Sequence, residues 1–385
     1  MTDLHAVVMR YMQARGMSQN ALAKAVHHDP SYLSRVLRGI KPLGPALARD
    51  IDRALGAGGE VIAAAARPVP APVPAEVPVA PELVGYFRDQ LAGHYAADRF
   101  LGPGRLIPVA TAQYDLLCDT AGTAKRPARG ELWAVAAGFA ALLGWLHQDA
   151  GDLAESGRWH DVMIERAHRS HDPQLVGFAL YCKAMLHTDM SDGPGVIDLS
   201  SAGLRHKDLI PKVRALLLQQ AAHGHSLRGD AGTYDECDRL LGDAGTLIGE
   251  IGDDYPWGAC TSARWIEPQR ATVLTRLGRH REAAGLWADV IPDLPASSRR
   301  DIGVFSARHA QALAGSGDPE QAVAVAREVV AVAVQSGSAR MRGELAALRQ
   351  RMEPWKGDRP WRDLEEALAV LPRTVRSRQW NSAIS

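Results

Sequence analysis

SQNALAKAVHHDPSYLSRVLRG, residues 18–39, decides how the N-terminal part of the chain folds. Ser18 is a good helix N-cap, and the apolar residues after it, Leu22, Ala23 and Val26, recur at the spacing of one helical face. Asp29-Pro30 then gives a second start signal, an N-cap acid followed by proline at the first helical position. Leu33, Val36 and Leu37 form the apolar face of that next helix, which Gly39 ends. Only His27 and His28 separate Val26 from Asp29, so the connection is tight, and small Ala23 stands where the two helices must cross closely.

Outward from this stretch, a helix is predicted from Leu4 to Arg15, capped by Thr2 or Asp3 and stopped by Gly16, and another from Pro45 to Gly56. Ile40, Leu43, Leu47, Ile51 and Leu55 complete a small core. Ser18, Gln19, Leu22, Ala23, Leu33, Ser34, Val36, Leu37 and Gly39 stand in register with the helix-turn-helix of the Cro and lambda-repressor type, the XRE family, which this segment resembles. The turn departs from that pattern, because His27-His28 stands where the family usually has glycine. A left-handed backbone there is slightly strained for histidine.

The resemblance implies that the third helix enters the major groove of a double-stranded DNA operator. It would present Ser31, Tyr32, Ser34, Arg35 and Arg38 outward. Arg35 is the candidate reader of guanine, since its planar fork makes two bonds to O6 and N7. Ser31 and Tyr32 are placed to meet base edges or thymine methyls. Gln19 matches a phosphate-clamping position of the family, and Arg38 and Lys41 are candidate phosphate contacts, which position without specifying. Charge agrees: residues 1–58 hold eight Lys or Arg and four Asp or Glu, although the whole chain is neutral.

RPVPAPVPAEVPVAPE, residues 67–82, contains six prolines and reads as a polyproline-type spacer. The expected organisation is a DNA-binding domain at 1–62, a linker at 63–82 and a helical body at 83–385. Strand signals are nearly absent, so the fold class is all-α. In the body, Gly278 is followed by Ala283 and Trp287, Gly317 by Ala322 and Ala326, and Gly232 by Cys237 and Leu241. GRWHDVMIER fits from Gly157, with Val162 in place of the small residue, and a degenerate copy is expected near SDGPGVIDLS. Pro81 to Thr120 does not fit and reads as a cap or adaptor.

These spacings resemble the tetratricopeptide repeat, in which glycine ends one helix and a small residue packs the next against it. The resemblance implies six or seven stacked helix pairs with a concave face. A helix-turn-helix head joined to such repeats is similar to the peptide-responsive quorum-sensing regulators of bacteria. That implies a homodimer whose body takes a peptide, a small molecule or a protein segment. Gln219, Arg264, Trp265, Gln269 and Arg270, on first helices of pairs, are candidate ligand residues, as are Tyr255 and Trp257 in the loop GDDYPWG.

Other chemistry finds little support. His168 and His171 could share a helical face, and His223 and His225 are close, but HExxH is absent and no cysteine stands at ligand spacing. Cys118, Cys182, Cys237 and Cys260 are far apart and read as free thiols. GxSxG, GxxxxGK[ST] and a GxGxxG with strand context are all missing. No cofactor, no metal and no catalytic residue is expected. The N-terminus does not read as a signal peptide and no run is long enough to span a membrane, so a cytoplasmic protein is expected. The sequence thus points to a transcriptional regulator. The competing reading is an interaction scaffold or anti-regulator whose head docks protein instead of DNA.

Overall fold

The computed structural model describes residues 4–37, 43–66, 78–98, 100–230, 232–249, 263–296 and 298–371. The chain divides into two units, residues 1–75 and 76–385. Every regular element among the described residues is a helix.

The first unit holds α1 (Leu4–Ala14), α2 (Gln19–Ala25), α3 (Pro30–Leu37), α4 (Pro45–Leu55) and α5 (Glu60–Ala66). The start signals act as the sequence predicts. The Ser18 hydroxyl accepts from the Ala21 amide at 3.2 Å, and Asp29 Oδ1 accepts from the Tyr32 amide at 3.0 Å. Glycine serves the reversals after α1 and α4, where Gly16 and Gly56 have φ of 61° and 55°. His27 adopts φ 56°, so the turn between α2 and α3 is left-handed on a residue with a side chain, a conformation that costs on the order of 1 kcal/mol. Val8, Leu22, Ala23, Leu33, Ile51, Leu55 and Val61 are fully buried beneath it. α5 is the fifth helix of a head expected to hold four to five, and it runs on through residues 63–66, which the sequence reading assigns to the linker. Asp52, which is buried, explains its position: its two carboxylate oxygens accept from the amides of Gly59 (2.9 Å) and Val61 (3.0 Å), which caps α5 from a distance. Tyr11 Oη also donates to Glu60 at 3.0 Å, and Arg10 pairs with the same carboxylate.

The second unit runs α6 (Pro81–Asp98), α7 (Pro103–Thr123), α8 (Ala128–Ala150), α9 (Leu153–Ser170), α10 (Pro173–Asp189), α11 (Gly193–Leu204) and α12 (Pro211–Arg228). It continues with α13 (Thr233–Gly249), α14 (Ile266–Arg276), α15 (His280–Val290), α16 (Arg299–Ser316), α17 (Pro319–Ser336), α18 (Ala339–Arg351) and α19 (Arg359–Leu368). Consecutive helices pack as pairs, and the even-numbered helices from α6 to α18 also pack each on the next even one, forming a continuous layer. Left-handed residues at Gly151, Ser191, Gly232, Gly278, Gly317 and Gly357 separate the two helices of successive pairs. They lie 40, 41, 46, 39 and 40 residues apart. Five and nine residues after four of them, Ser191, Gly232, Gly278 and Gly317, come buried small or apolar groups: Val196 and Ser200, Cys237 and Leu241, Ala283 and Trp287, Ala322 and Ala326.

One repeat was assigned in the wrong register by the sequence pattern. Gly157 lies inside α9 and ends nothing, and Val162 is only partly buried. The terminator is Gly151, with φ 89°, and the residues that pack after it are Ser156 and His160. Both are polar, so an apolar template could not find them. The degenerate copy expected near SDGPGVIDLS is α11, reached through the left-handed Ser191. Cys118, Cys182 and Cys237 are free, and Cys260 lies outside the described residues.

α18 packs back on α8. The contact is polar and largely buried. Arg300 of α16 donates to Asp149 of α8 at 2.7 Å and to the Asp98 carbonyl at 2.7 Å, and it pairs with the Asp98 carboxylate. Ser338 Oγ donates to the other oxygen of Asp149 at 2.6 Å. Arg340 lies 4.7 Å over the Trp145 ring and 3.4 Å from Asp189. The last pairs of the layer are therefore tied to the first. Removing one partner of a buried ion pair strands the other's charge, at about 3 kcal/mol or more. Arg300→Ala should accordingly lower unfolding free energy by about that amount and enlarge the radius of gyration in X-ray scattering; an unchanged radius would show that the tie does not hold the ends together.

A second test concerns acid. Burial pushes His160 down to about 4, with Lys183 adding to the effect, and both its ring nitrogens lack partners among the described residues. Burial likewise pushes His223 down to about 3. Below the ordinary histidine value of 6.5 the unfolded chain binds protons at these positions that the folded chain refuses. Stability is therefore fully present above pH 6.5 and declines as pH falls toward 4 and then 3. His160→Leu should flatten the curve of stability between pH 6.5 and 4 by close to one proton's slope, ~1.4 kcal/mol per pH unit, in urea titrations.

Candidate nucleic-acid interface

The amphipathic character of α3 sets the geometry of the first candidate site. Leu33, Val36 and Leu37 are turned inward, and the opposite face is left toward solvent. Ser31 and Arg35 are exposed, and Tyr32 and Ser34 are half-buried. Gln19 and Asn20 at the start of α2 join Pro30, Ser31, Ser34 and Arg35 around an open concavity of about 570 Å³. Four of the expected DNA contacts, Gln19, Ser31, Ser34 and Arg35, are thus brought together. Asn20 was missed: it is an exposed polar residue in the first turn of α2, next to Gln19, which was the signal available. Arg35 Nε donates to the Ser31 carbonyl one turn back, at 3.2 Å. That bond steadies the side chain and leaves the two terminal nitrogens of the guanidinium uncommitted to it. The Tyr32 ring stacks on His28, with centroids 5.4 Å apart, so it extends the left-handed turn instead of the groove-like hollow. Arg38 and Lys41 lie outside the described residues.

The second candidate site lies in the even-numbered layer of the other unit. Trp265 Nε1 donates to Gln219 Oε1 at 3.0 Å, and Gln269 Oε1 lies 3.0 Å from His223 Nε2. The other ring nitrogen of His223 accepts from Arg276 at 3.1 Å. Arg308 donates to Glu344 at 2.7 Å and to Thr272 at 3.2 Å, and Gln311 donates to Glu344 at 2.7 Å. Burial lowers His223, and the neighbouring Arg276 cation adds to this, so the imidazole stays neutral and can accept. Burial opposes the charge on Glu344, but Arg308 and Arg276 outweigh it and hold the carboxyl below its ordinary range. Arg276 itself is pushed down to about 10 by burial, with Arg308 as the next cause.

The expected ligand residues divide accordingly. Gln219, Trp265 and Gln269 converge in this network. Arg264 and Arg270 do not: Arg264 is 79% exposed and pairs with Asp293, and Arg270 pairs with Asp238 and lies 3.8 Å from Glu267. Tyr255 and Trp257 lie outside the described residues. His223, Arg276, Arg308 and Glu344 were missed. Their signal is a polar stripe at three- and four-residue spacing on otherwise apolar helices, as in Gln219, His223 and Ser226 of α12 or Gln269, Thr272 and Arg276 of α14. Among the described residues, no group of three or more His, Cys, Asp or Glu is arranged to hold a metal ion, and no helix is long and apolar enough to cross a membrane.

The model of a helix-turn-helix domain matches residues 6–65. No curated protein matches the chain. Among solved structures the chain is similar to PlcR of Bacillus thuringiensis, crystallised in complex with the peptide PapR7 and DNA. That match is 11% identical, covers 96% of this chain and 95% of the other, and has a TM-score of 0.35. By its helices, its caps and the family match, the N-terminal segment is a helix-turn-helix domain, and it precedes a body of tetratricopeptide-like helix pairs.

Proposed function

We propose that this protein is a sequence-specific, DNA-binding transcriptional regulator that acts in the cytoplasm by binding and not by catalysis. Its head would be residues 1–62 and its body residues 83–385, joined by the proline-rich segment between them. The observation that carries this reading is the outer face of α3, where Arg35 is exposed above the hollow shared with Gln19, Ser31 and Ser34. A helix in the major groove needs such a face, with a planar donor fork at its centre and short polar groups beside it. Gln19, Arg38 and Lys41 would fix the head on phosphates, and Ser31, Ser34 and Arg35 would read bases, while Tyr32 would reach a base only by leaving its stack on His28. Acting as a homodimer, two heads would read half-sites about one helical turn, ~34 Å, apart or a multiple of it.

The body would receive a peptide, a small molecule or a protein segment and transmit that event to the heads. Gln219, Trp265 and Gln269, already joined by hydrogen bonds, are the first candidates to meet it, with Tyr255 and Trp257 as further candidates outside the described residues. Arg264 and Arg270 would serve only if their carboxylate partners released them.

Binding to the DNA upstream of the protein's own gene tests the proposal. The wild type should bind with an affinity that falls steeply as salt rises. Arg35→Ala should weaken specific binding at least tenfold, and Arg35→Lys should recover little, because an ammonium lacks the two-pronged fork. Equal affinity of wild type and Arg35→Ala for every sequence offered would instead favour a head that docks protein.

A further inference from the structure

The polar groups of the even-numbered layer form an axial network, and one cation in it has no counter-charge. Arg276, in the last turn of α14, is half-buried. Its Nη1 donates to His223 Nδ1 at 3.1 Å and lies 3.5 Å from the Ser226 hydroxyl. Among the described residues these are the hydrogen bonds its side chain makes, and it has no ion pair. His223 is neutral, so the bond leaves the guanidinium charge unbalanced. The two carboxylates that act on Arg276, Glu344 and Asp189, are held by other groups. Glu344 accepts from Arg308 on one oxygen and from Gln311 on the other, both at 2.7 Å. Asp189 accepts from Gln148 at 2.7 Å and lies 3.4 Å from Arg340. The macrodipole of α14 favours a cation in its last turn, but it supplies only about half a charge.

The other arginines of the layer behave differently. Burial opposes the charge on Arg300 and Arg340, but their aspartates outweigh it and raise both. Arg276 goes the other way: burial pushes it down to about 10, and Arg308 adds to this. Half of its fork is also unused. Nη1 carries both contacts, while Nε and Nη2, whose N–H bonds point the same way, carry none. That edge is the one on which a guanidinium takes the two oxygens of a carboxylate side by side. His223 fixes the plane of the fork. Its Nδ1 accepts from Arg276, so its Nε2 holds the proton and donates to Gln269 Oε1 at 3.0 Å. From Gln269 the bonds run to the Trp265 carbonyl, and from the Trp265 indole to Gln219. Arg276 thus stands, with an open edge, at the end of the chain of residues that the sequence singles out as ligand candidates.

We propose that the ligand of the body carries a carboxylate and that Arg276 takes it, two-pronged, on its Nε–Nη2 edge, with His223 as the positioning residue. This rests on the reading that the body receives a ligand, and it names the chemistry of that ligand. One unbalanced positive charge and one two-pronged edge match a carboxylate, which has a single charge and two oxygens. A phosphate group brings about two charges and three acceptor oxygens, more than this edge can serve. The ligand would give Arg276 what Glu344 gives Arg308. A peptide C-terminus and a small organic acid share this chemistry.

The test uses the full-length chain with acetate as probe, at ionic strength held constant with chloride. The Nε–H resonance of Arg276, assigned by its loss in Arg276→Gln, should shift saturably with acetate and stay in place with acetamide. Acetate should also raise the thermal midpoint of the wild type above that in acetamide, and this gain should vanish in Arg276→Gln. Arg276→Lys, which keeps the charge and loses the fork, should weaken acetate binding at least threefold. Arg239→Ala, which removes an exposed arginine paired on α13, should leave it unchanged. N-acetylglycine and its amide distinguish the sources: the acid binding more tightly than acetate points to the end of a peptide chain, and equal binding to a lone carboxylate. Absence of a saturable shift at Arg276, an undiminished acetate response in Arg276→Gln, or tighter binding of inorganic phosphate than of acetate overturns the proposal. The reading it rests on fails by a different result. Saturable acetate or N-acetylglycine binding at Arg276 that leaves DNA affinity unchanged supports the carboxylate site and removes its part in regulation, whereas a peptide bound equally well by wild type and Arg276→Gln sinks the site and keeps a ligand-binding body.

Discussion

At several of the close helix crossings among the described residues one helix offers only a hydrogen or a methyl group, and the architecture depends on that. Ala23 is fully buried at the α2–α3 crossing. A methyl group at Gly177 would stand 2.7 Å from Leu209 and 2.9 Å from Val213, and one at Gly203 would stand 2.7 Å from Leu217. Gly144 leaves room for the His160 ring, and Gly303 for Met341. Ala283, Ala322 and Ala326 do the same work in the later repeats, with no exposed surface. Close approach gives each helix more dispersion contact per residue, and it permits a body rich in small residues to hold together. Where a large side chain does enter, as with Trp287, it is wholly buried, stacks on Phe305 and donates its indole proton to Thr275 at 3.0 Å.

The same constraint explains what could be read from the sequence. Small residues at fixed distance from glycine are a local pattern, so α13, α15 and α17 were found by spacing alone. The caps Ser18 and Asp29 and the proline at position 30 were equally local, and α1 to α4 follow them closely. The pattern fails where a repeat uses other chemistry at the same place. In α9 the packing positions are Ser156 and His160, and the terminator Gly151 was passed over for Gly157, which is not a terminator. A fifth helix of the head could be expected but not placed, because the cap of α5, Asp52, is seven residues from one amide it serves and nine from the other.

The site residues divide on the same line. The outer face of α3 is the complement of its apolar face, so it was legible once the helix was. The axial network was half legible: Gln219, Trp265 and Gln269 belong to it, but the helical face that Arg264 and Arg270 occupy depends on partners, Asp293 and Asp238, in other helices. The tie between Arg300 and Asp149 spans 151 residues, and that between Ser338 and Asp149 spans 189. No periodicity within a window of twenty residues carries information at that range; only the stacking angle accumulated over the repeats brings these groups together.

That long-range tie also bears on how the body can respond to a ligand. Its axial hydrogen bonds are already made: Trp265 to Gln219, Arg276 to His223, and Arg308 and Gln311 to Glu344. A ligand seated among them must replace these bonds in kind, since a buried donor or acceptor left without a partner costs ~1–3 kcal/mol. Net affinity then comes from whatever the ligand adds beyond the replacement. A ligand that replaced the bonds equally well with the α8–α18 contact made or broken would shift nothing, however tightly it bound. The body can act as a switch only through a ligand that favours one of those two arrangements. The groups able to supply that difference are the ones that bridge helices on opposite sides of the contact, Arg300 with Asp98 and Asp149, and Arg340 with Asp189. Coupling between a site in the body and the helices that carry it therefore has to pass through a few buried ion pairs, whose making and breaking is discrete, and not through the alanine-packed crossings, which have little room to move in part.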